Sequence, residues 1–581
     1  MKKRLVIVVV LLGILSAGGA VWYFNRPAAG VIQPAELLPE ETLVMIEAVD
    51  LKESLDEFRA GPLGRAVSGI EMPACMGAFN ADPEEIERLS RLQARLMAGL
   101  DSPWFDTLFG DLAVVAVLQP DPDALRSAPE RLWHESAVMV LRPGKPAEMI
   151  QWIGKMFARD LTITAHTADD VRMDRIETGD GPPLFVAVHR GLGLVALDPK
   201  PIVRCLAPQT GARLSLARSP DYAALRAELA TPETAHGFAW INLHAVLNTW
   251  FDLADQKNAG DASADEARNL WGGFNQARPV IAAVATDDGQ VVHHRWRVKY
   301  NAADLSPDMA RMLTVPPESN TTLPWMPEAV LYYSWQNNLG HLLESVLDLS
   351  RLNPGEAAEF RRDFEGKTGV PFEDAMNAFG SQFAVMIRDI QTGGMFPVPE
   401  LAILAEVGQP EVIDRLADAA VRHFGLAKAA EDFQGSTIRY VALPYGEDIS
   451  PGYTVRDGFL VLASSRGLLK TLLGREAGGK RLADSPSFSA VNRGLTDPNN
   501  QVVYLQTGEA AARAKDLLNW ALTLAGMTGR AGDAGQMACL SNKVAAPILD
   551  GLSMYPAMGS RTLFGENGIQ ADVYVLKPTH E

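Results

Sequence analysis

The chain has 581 residues, 47% of them hydrophobic and 21% charged, which is too long for one hydrophobic core and too apolar for a disordered segment. A formal net charge of -18, with no basic cluster beyond the first residues, argues against a nucleic-acid partner, because phosphate binding needs clustered Lys and Arg. The three cysteines, Cys75, Cys205 and Cys539, show neither a CxxC nor a Cys/His ligand spacing, so no structural zinc and no cofactor is expected.

The first stretch, MKKRLVIVVVLLGILSAGGAVWYFNR, has basic Lys2 to Arg4, then an uncharged, largely apolar run from Leu5 to Phe24. At about 1.5 Å per helical residue this run matches a hydrocarbon core of about 30 Å. It predicts a signal anchor over residues 1–26, with Trp22 and Tyr23 at the interface and the bulk of the chain in the periplasm of a bacterial envelope. The competing reading is a cleaved export signal, because Gly18 and Ala20 form an A-x-A-like site. Residues 27–36 read as a Pro- and Ala-containing tether.

From residue 37 onward a strand followed by an amphipathic helix is predicted four times. The strands are Leu43 to Ile46, Phe238 to Ile241, Val330 to Tyr333 and Val502 to Leu505; the helices follow with apolar stripes such as Leu51, Leu55, Phe58 and Leu339, Leu342, Leu343. Between them lie strands joined by tight turns, clearest in VIAAVATDDGQVVHHRWRVKY around Asp288 and Gly289. Four landmark pairs keep one order: Phe109 with Phe379, Gly144 with Gly408, Gly191 with Gly458 and Leu216 with Leu482, at offsets of 270, 264, 267 and 266. The expected fold is therefore α+β: a tandem duplication, each half a largely antiparallel sheet with amphipathic helices packed on one face, preceded by one transmembrane helix. The expected halves are 37–313 and 330–578, with a Pro-rich junction at 314–329.

The anchor, the LPEETLVMIEAVDL opening, the FGDLAVV strand and the DGFLVLASSRGLLKTLL segment resemble an uncharacterised bacterial family of membrane-anchored envelope proteins, known only as a domain of unknown function. The resemblance implies a location and carries no catalytic or binding residues.

No catalytic motif stands out. FGSQF around Ser381 lacks the second Gly of a nucleophile elbow, and EGKTGV has Arg361 where a phosphate loop needs its first Gly. GLGLVA, with Gly191 and Gly193, precedes a strand and reads as a hairpin turn. His293 and His294 are neighbours on a strand and face opposite sides; His236 and His244 read as a loop and a helix start. The carboxylate pairs Glu84, Glu85 and Asp169, Asp170 lie in polar stretches.

Two clusters remain. Trp325, Tyr332, Tyr333 and Trp335 form an aromatic group, read as core or as an interface or ligand contact, and Cys75 and Cys539, in similar local settings, are either the pair for one disulfide or, with Cys205, small buried hydrophobes. The expected role is a membrane-anchored scaffold or interaction protein with an envelope protein as partner. The alternatives are a carrier of lipid or another apolar ligand, whose partner is lipid, and an enzyme whose site linear motifs do not reveal.

Overall fold

The computed structural model describes residues 33–578 apart from short interruptions, the longest being 123–130, 143–161 and 258–267. The proposed anchor at 1–26, most of the tether and the landmark at Gly144 lie outside the described residues. The chain forms two compact units: one ends at Ala310 and includes Glu566–Gln570, the other comprises Arg311–Gly565 and Ala571–Glu581.

The strands of the first unit are β1 (Thr42–Val49), β2 (Leu112–Leu118), β3 (Ala137–Arg142), β4 (Thr162–Ala168), β5 (Val171–Glu177), β6 (Leu184–His189), β7 (Leu192–Ala196), β8 (Ala235–Ile241), β9 (Val280–Asp287) and β10 (Val291–Lys299). They lie side by side in the order β10, β9, β8, β1, β2, β3, β7, β6, β5, β4, every pair antiparallel. Short turns make this pairing possible. At the β9–β10 hairpin the Asp288 carboxylate accepts from the amides of Gln290 (3.0 Å) and Val291 (2.8 Å), and Gly289 takes a φ of +93°. Arg190 and Gly191 likewise turn β6 into β7 with positive φ.

Five helices of this unit matter here: α1 (Leu51–Ala60), α2 (Leu132–Ser136), α3 (Pro199–Leu206), α4 (Pro220–Leu229) and α5 (Leu243–Lys257). Adjacent strand residues point to opposite faces, and both faces bury apolar side chains. Val114, Val140 and Leu194 join Ile202 of α3 and Leu225 of α4 in one core, while Ala113, Leu141 and Val186 form another with Leu51 of α1.

In the second unit the strands are β11 (Tyr332–Gln336), β12 (Phe379–Gln391), β13 (Val398–Val407), β14 (Lys428–Phe433), β15 (Ser436–Val441), β16 (Gly452–Arg456), β17 (Phe459–Ala463), β18 (Gln501–Leu505), β19 (Met558–Gly565) and β20 (Gly568–Leu576). Their order is β20, β19, β18, β11, β12, β13, β17, β16, β15, β14. The helices used below are α6 (Leu339–Val346), α7 (Pro354–Thr368), α8 (Pro410–His423), α9 (Arg466–Leu473), α10 (Thr507–Met527), α11 (Ala531–Leu540) and α12 (Ala546–Ser553). Tyr453 packs with Val412 and Ile413 of α8, whereas its neighbour Gly452 meets Leu469 of α9 on the other side.

Two features of the expected fold class are corrected. Helices cover both faces of the sheet rather than one, because both registers of the central strands are apolar. The strands form one 20-stranded sheet, not two separate halves. Apolar spacing selects which residues become strand, but where a sheet stops depends on edge N–H and C=O groups, which pair whatever the side chains are. The expected transmembrane helix falls outside the described residues, and among the described residues no helix is long and apolar enough to cross a membrane. The longest, α10, has 21 residues but carries Glu509, Arg513, Lys515 and Asp516 in its first half.

Candidate functional site

The aromatic group belongs to the interior. Trp325, Tyr333 and Trp335 are buried and Tyr332 half-buried. Tyr333 and Trp335 stand two apart on β11 and so share a face. There the Trp335 indole N–H donates to Gln382 Oε1 at 3.0 Å, and the same oxygen accepts from the Thr321 hydroxyl at 2.8 Å. The Tyr333 hydroxyl donates to Asn320 Oδ1 at 3.0 Å and lies 2.7 Å from the Thr322 hydroxyl. Burial pushes the Tyr333 phenol well up from its ordinary range. Trp325 meets Phe459 edge-on with ring centroids 6.3 Å apart. Every polar atom on these rings that the geometry places inside has a partner, so the group fixes the packing of β11.

Cys75 and Cys205 are buried, Cys539 is half-buried, and the structure forms no disulfide among them. Cys75 and Cys539, read together in the sequence, belong to different compact units. Burial raises the Cys205 thiol to about 12, which keeps it protonated and inert.

The remaining sequence candidates also resolve into structure. Ser381 donates to Glu318 at 2.9 Å at the start of β12. The Glu406 carboxylate accepts the backbone N–H groups of Ser381 (2.9 Å) and Gln382 (3.1 Å) across a break in the strand register. Lys367 pairs with Asp363 at 2.6 Å, and EGKTGV forms the C-terminal end of α7, closed by Gly369 at φ +70°. His244 lies near the start of α5 against Asn275. His294 is half-buried on β10, and desolvation followed by neighbouring His293 pushes it down to about 4. Among the described residues no group of three or more His, Cys, Asp or Glu is placed to hold a metal ion.

What sequence reading missed is a charged cleft of about 580 Å³ in the first unit, lined in part by Glu41, Arg131, Glu135, Ser136, Lys200 and Arg204. Glu41 precedes β1, the segment after β2 supplies Gln119 to Pro122, α2 brings Arg131, Glu135 and Ser136, and α3 brings Lys200 and Arg204. The α3 start is set by Asp198, whose carboxylate accepts the Lys200 amide at 2.9 Å, followed by Pro at the first helical position. This fixes Lys200 and Arg204, one turn apart, on the same side of α3.

Lys200 Nζ lies 2.7 Å from Glu135 Oε2, and Arg131 Nε is 3.5 Å from Glu135 Oε1. Hydrogen bonding to Glu135 holds the Lys200 ammonium above its ordinary range. On the other wall Glu41 pairs with Arg213 and stands 3.7 Å from Arg204, whose Nη1 donates to the Gln119 carbonyl at 2.6 Å. Burial lowers the Arg204 pKa, against the opposing pull of Cys205 and Asp121. Ser136 is 1% exposed and its hydroxyl has no hydrogen-bond partner.

A second exposed feature is the helical group α10, α11 and α12, in which α10 packs against the other two. Leu524, Met527, Met537, Leu540 and Met554 are exposed there, Met527 by 78%. Only Ala511 of α10 is buried. The stripes expected to lie on a sheet stay partly open elsewhere too: Leu342 of α6 is exposed and Leu55 of α1 only half-buried.

No protein family matches the chain, and no curated protein does. A solved structure described as "Structure of crystal form I of TP0453" is similar over 49% of this chain and 86% of its own, at 8% identity and a TM-score of 0.23. A likeness that low carries no argument about fold or role.

Proposed function

We propose that the protein is an extracytoplasmic interaction protein that binds a partner protein through α10–α12. The observation that carries this reading is the set of exposed apolar side chains on those helices, Leu524, Met527, Met537, Leu540 and Met554. Leaving such side chains in water forgoes about 1.5–3 kcal/mol each, a cost that a partner's apolar strip recovers. Methionine suits the task, because its unbranched, polarizable side chain adapts to a partner's relief.

Charge decides between a protein and a membrane surface. Residues 507–554 hold four basic side chains (Arg513, Lys515, Arg530, Lys543) and four acidic ones (Glu509, Asp516, Asp533, Asp550). Lys515 pairs with Asp550 at 2.6 Å and Arg513 with Asp389 at 2.7 Å. An interfacial helix needs a basic polar face, which this segment lacks. An apolar carrier is less well supported, since the cleft of the first unit is lined with ion pairs.

Delivery across the inner membrane is assigned to the basic and apolar residues 2–24, with release into the periplasm after the Gly18–Ala20 site. N-terminal sequencing of the protein from a periplasmic fraction should begin shortly after Ala20; an intact Met1 would overturn that half of the reading.

For the partner, a photo-crosslinking residue placed at Met527 of the full chain in cells should yield one protein adduct, lost in the Met537→Glu, Leu540→Glu variant. Persistence of the adduct in that variant, adducts to lipid only, or none at all would overturn the interaction surface.

A further inference from the structure

We infer that the cleft between α2 and α3 is a binding site for a small oxyanion-bearing molecule, held by Arg204 and Ser136. This is independent of the α10–α12 surface. The volume of about 580 Å³ falls within the range of ligand pockets, roughly 300–1,000 Å³.

Two observations point to what fills it. The inner carboxylates are oversubscribed: Glu135 serves both Lys200 and Arg131, and Glu41 serves both Arg213 and Arg204. Asp121 and Asp169, the other acids of the lining, are exposed at the rim. Arg204 is the least exposed cation of the lining, with Asp121 as a second acid acting on its charge. Its side chain is only 20% exposed and its nearer Glu41 oxygen is 3.7 Å from Nη2, too far for a hydrogen bond. A desolvated guanidinium in this state favours a planar carboxylate or a phosphate, which it can grip with two N–H groups.

The second observation is the Ser136 hydroxyl, buried against the cleft with nothing to bond. A buried hydroxyl without a partner costs about 1–3 kcal/mol, a cost that a ligand oxygen removes. Lys200 and Arg131, both exposed and sharing Glu135, bring two further N–H-bearing cations to the mouth of the cleft.

Calorimetric titration of the intact protein with inorganic phosphate, and separately with succinate, tests the site and distinguishes a phosphate from a carboxylate ligand. Saturable binding of at least one probe is expected, weakened at least tenfold by Arg204→Gln, about threefold by Ser136→Ala and by added salt. Lys200→Gln, at an exposed position, keeps the test open should Arg204→Gln unfold; it should weaken binding about threefold with an unchanged thermal transition. Absence of saturable binding of both probes, or affinity within twofold of the parent in both Ser136→Ala and Lys200→Gln, would overturn the assignment.

Discussion

The Tyr333–Trp335 network and the α2–α3 cleft both contain buried polar groups and put them to opposite use. Around β11 each donor meets an acceptor: Trp335 on Gln382 and Tyr333 on Asn320. In the cleft a serine hydroxyl is left over and an arginine stands 3.7 Å from its carboxylate, beyond hydrogen-bond reach. A closed set of partners specifies one packing, whereas an open set stores interaction energy that a ligand can realise. The aromatic group was the more conspicuous in sequence, yet the cleft is the better functional candidate.

The comparison can be broken most directly at Trp335. Trp335→Ala should cost about 3–5 kcal/mol, through lost burial and the cavity left behind, read by denaturant unfolding of the second unit. A loss under 1 kcal/mol would mean that the ring is not core.

His294 adds a half-buried titratable group on β10. Its imidazole stays neutral in the fold down to about pH 4, against an ordinary value of 6.5, so below 6.5 the unfolded chain takes up a proton that the folded one refuses. Stability from this group is complete above pH 6.5 and falls as pH drops toward 4, by about 3 kcal/mol in all. His294→Gln should flatten the pH dependence of unfolding across that window; an unchanged slope would remove His294 from the account.

Tyr333→Phe is a smaller and more specific probe. It leaves Thr322 and Asn320 short of one partner and should cost about 1–2 kcal/mol. Ser136→Ala, which deletes an oxygen of the same chemical kind, should do the reverse: stability unchanged or raised by a few tenths of a kcal/mol, since no bond is lost. Equal destabilisation by the two substitutions would erase the distinction between closed and open networks.

Much of the local structure is legible in the residues. The four strand-helix units appear because period-2 and period-3.6 apolar patterns dictate which face is buried, and Asp288-Gly289 forces the β9–β10 turn through side-chain capping and a positive φ. Even there the outcome shifts: β11 starts at Tyr332 rather than Val330, which is buried just before the strand. The cleft left almost no trace. Its lining runs from Glu41 to Arg213, and each of its charges is unremarkable alone. The one local signal was the Asp198-Pro199 helix start, which orients Lys200 and Arg204 but does not reveal that Glu135 faces them.

By itself the sequence determined the element types and their antiparallel habit, because backbone preference and apolar period act within a few residues of each other. The tertiary structure alone decided where the sheet ends, that helices cover both of its faces, that no cysteine bridge forms, and which polar groups meet. Those outcomes depend on atoms brought together from distant positions, and chain spacing does not encode the closing distance.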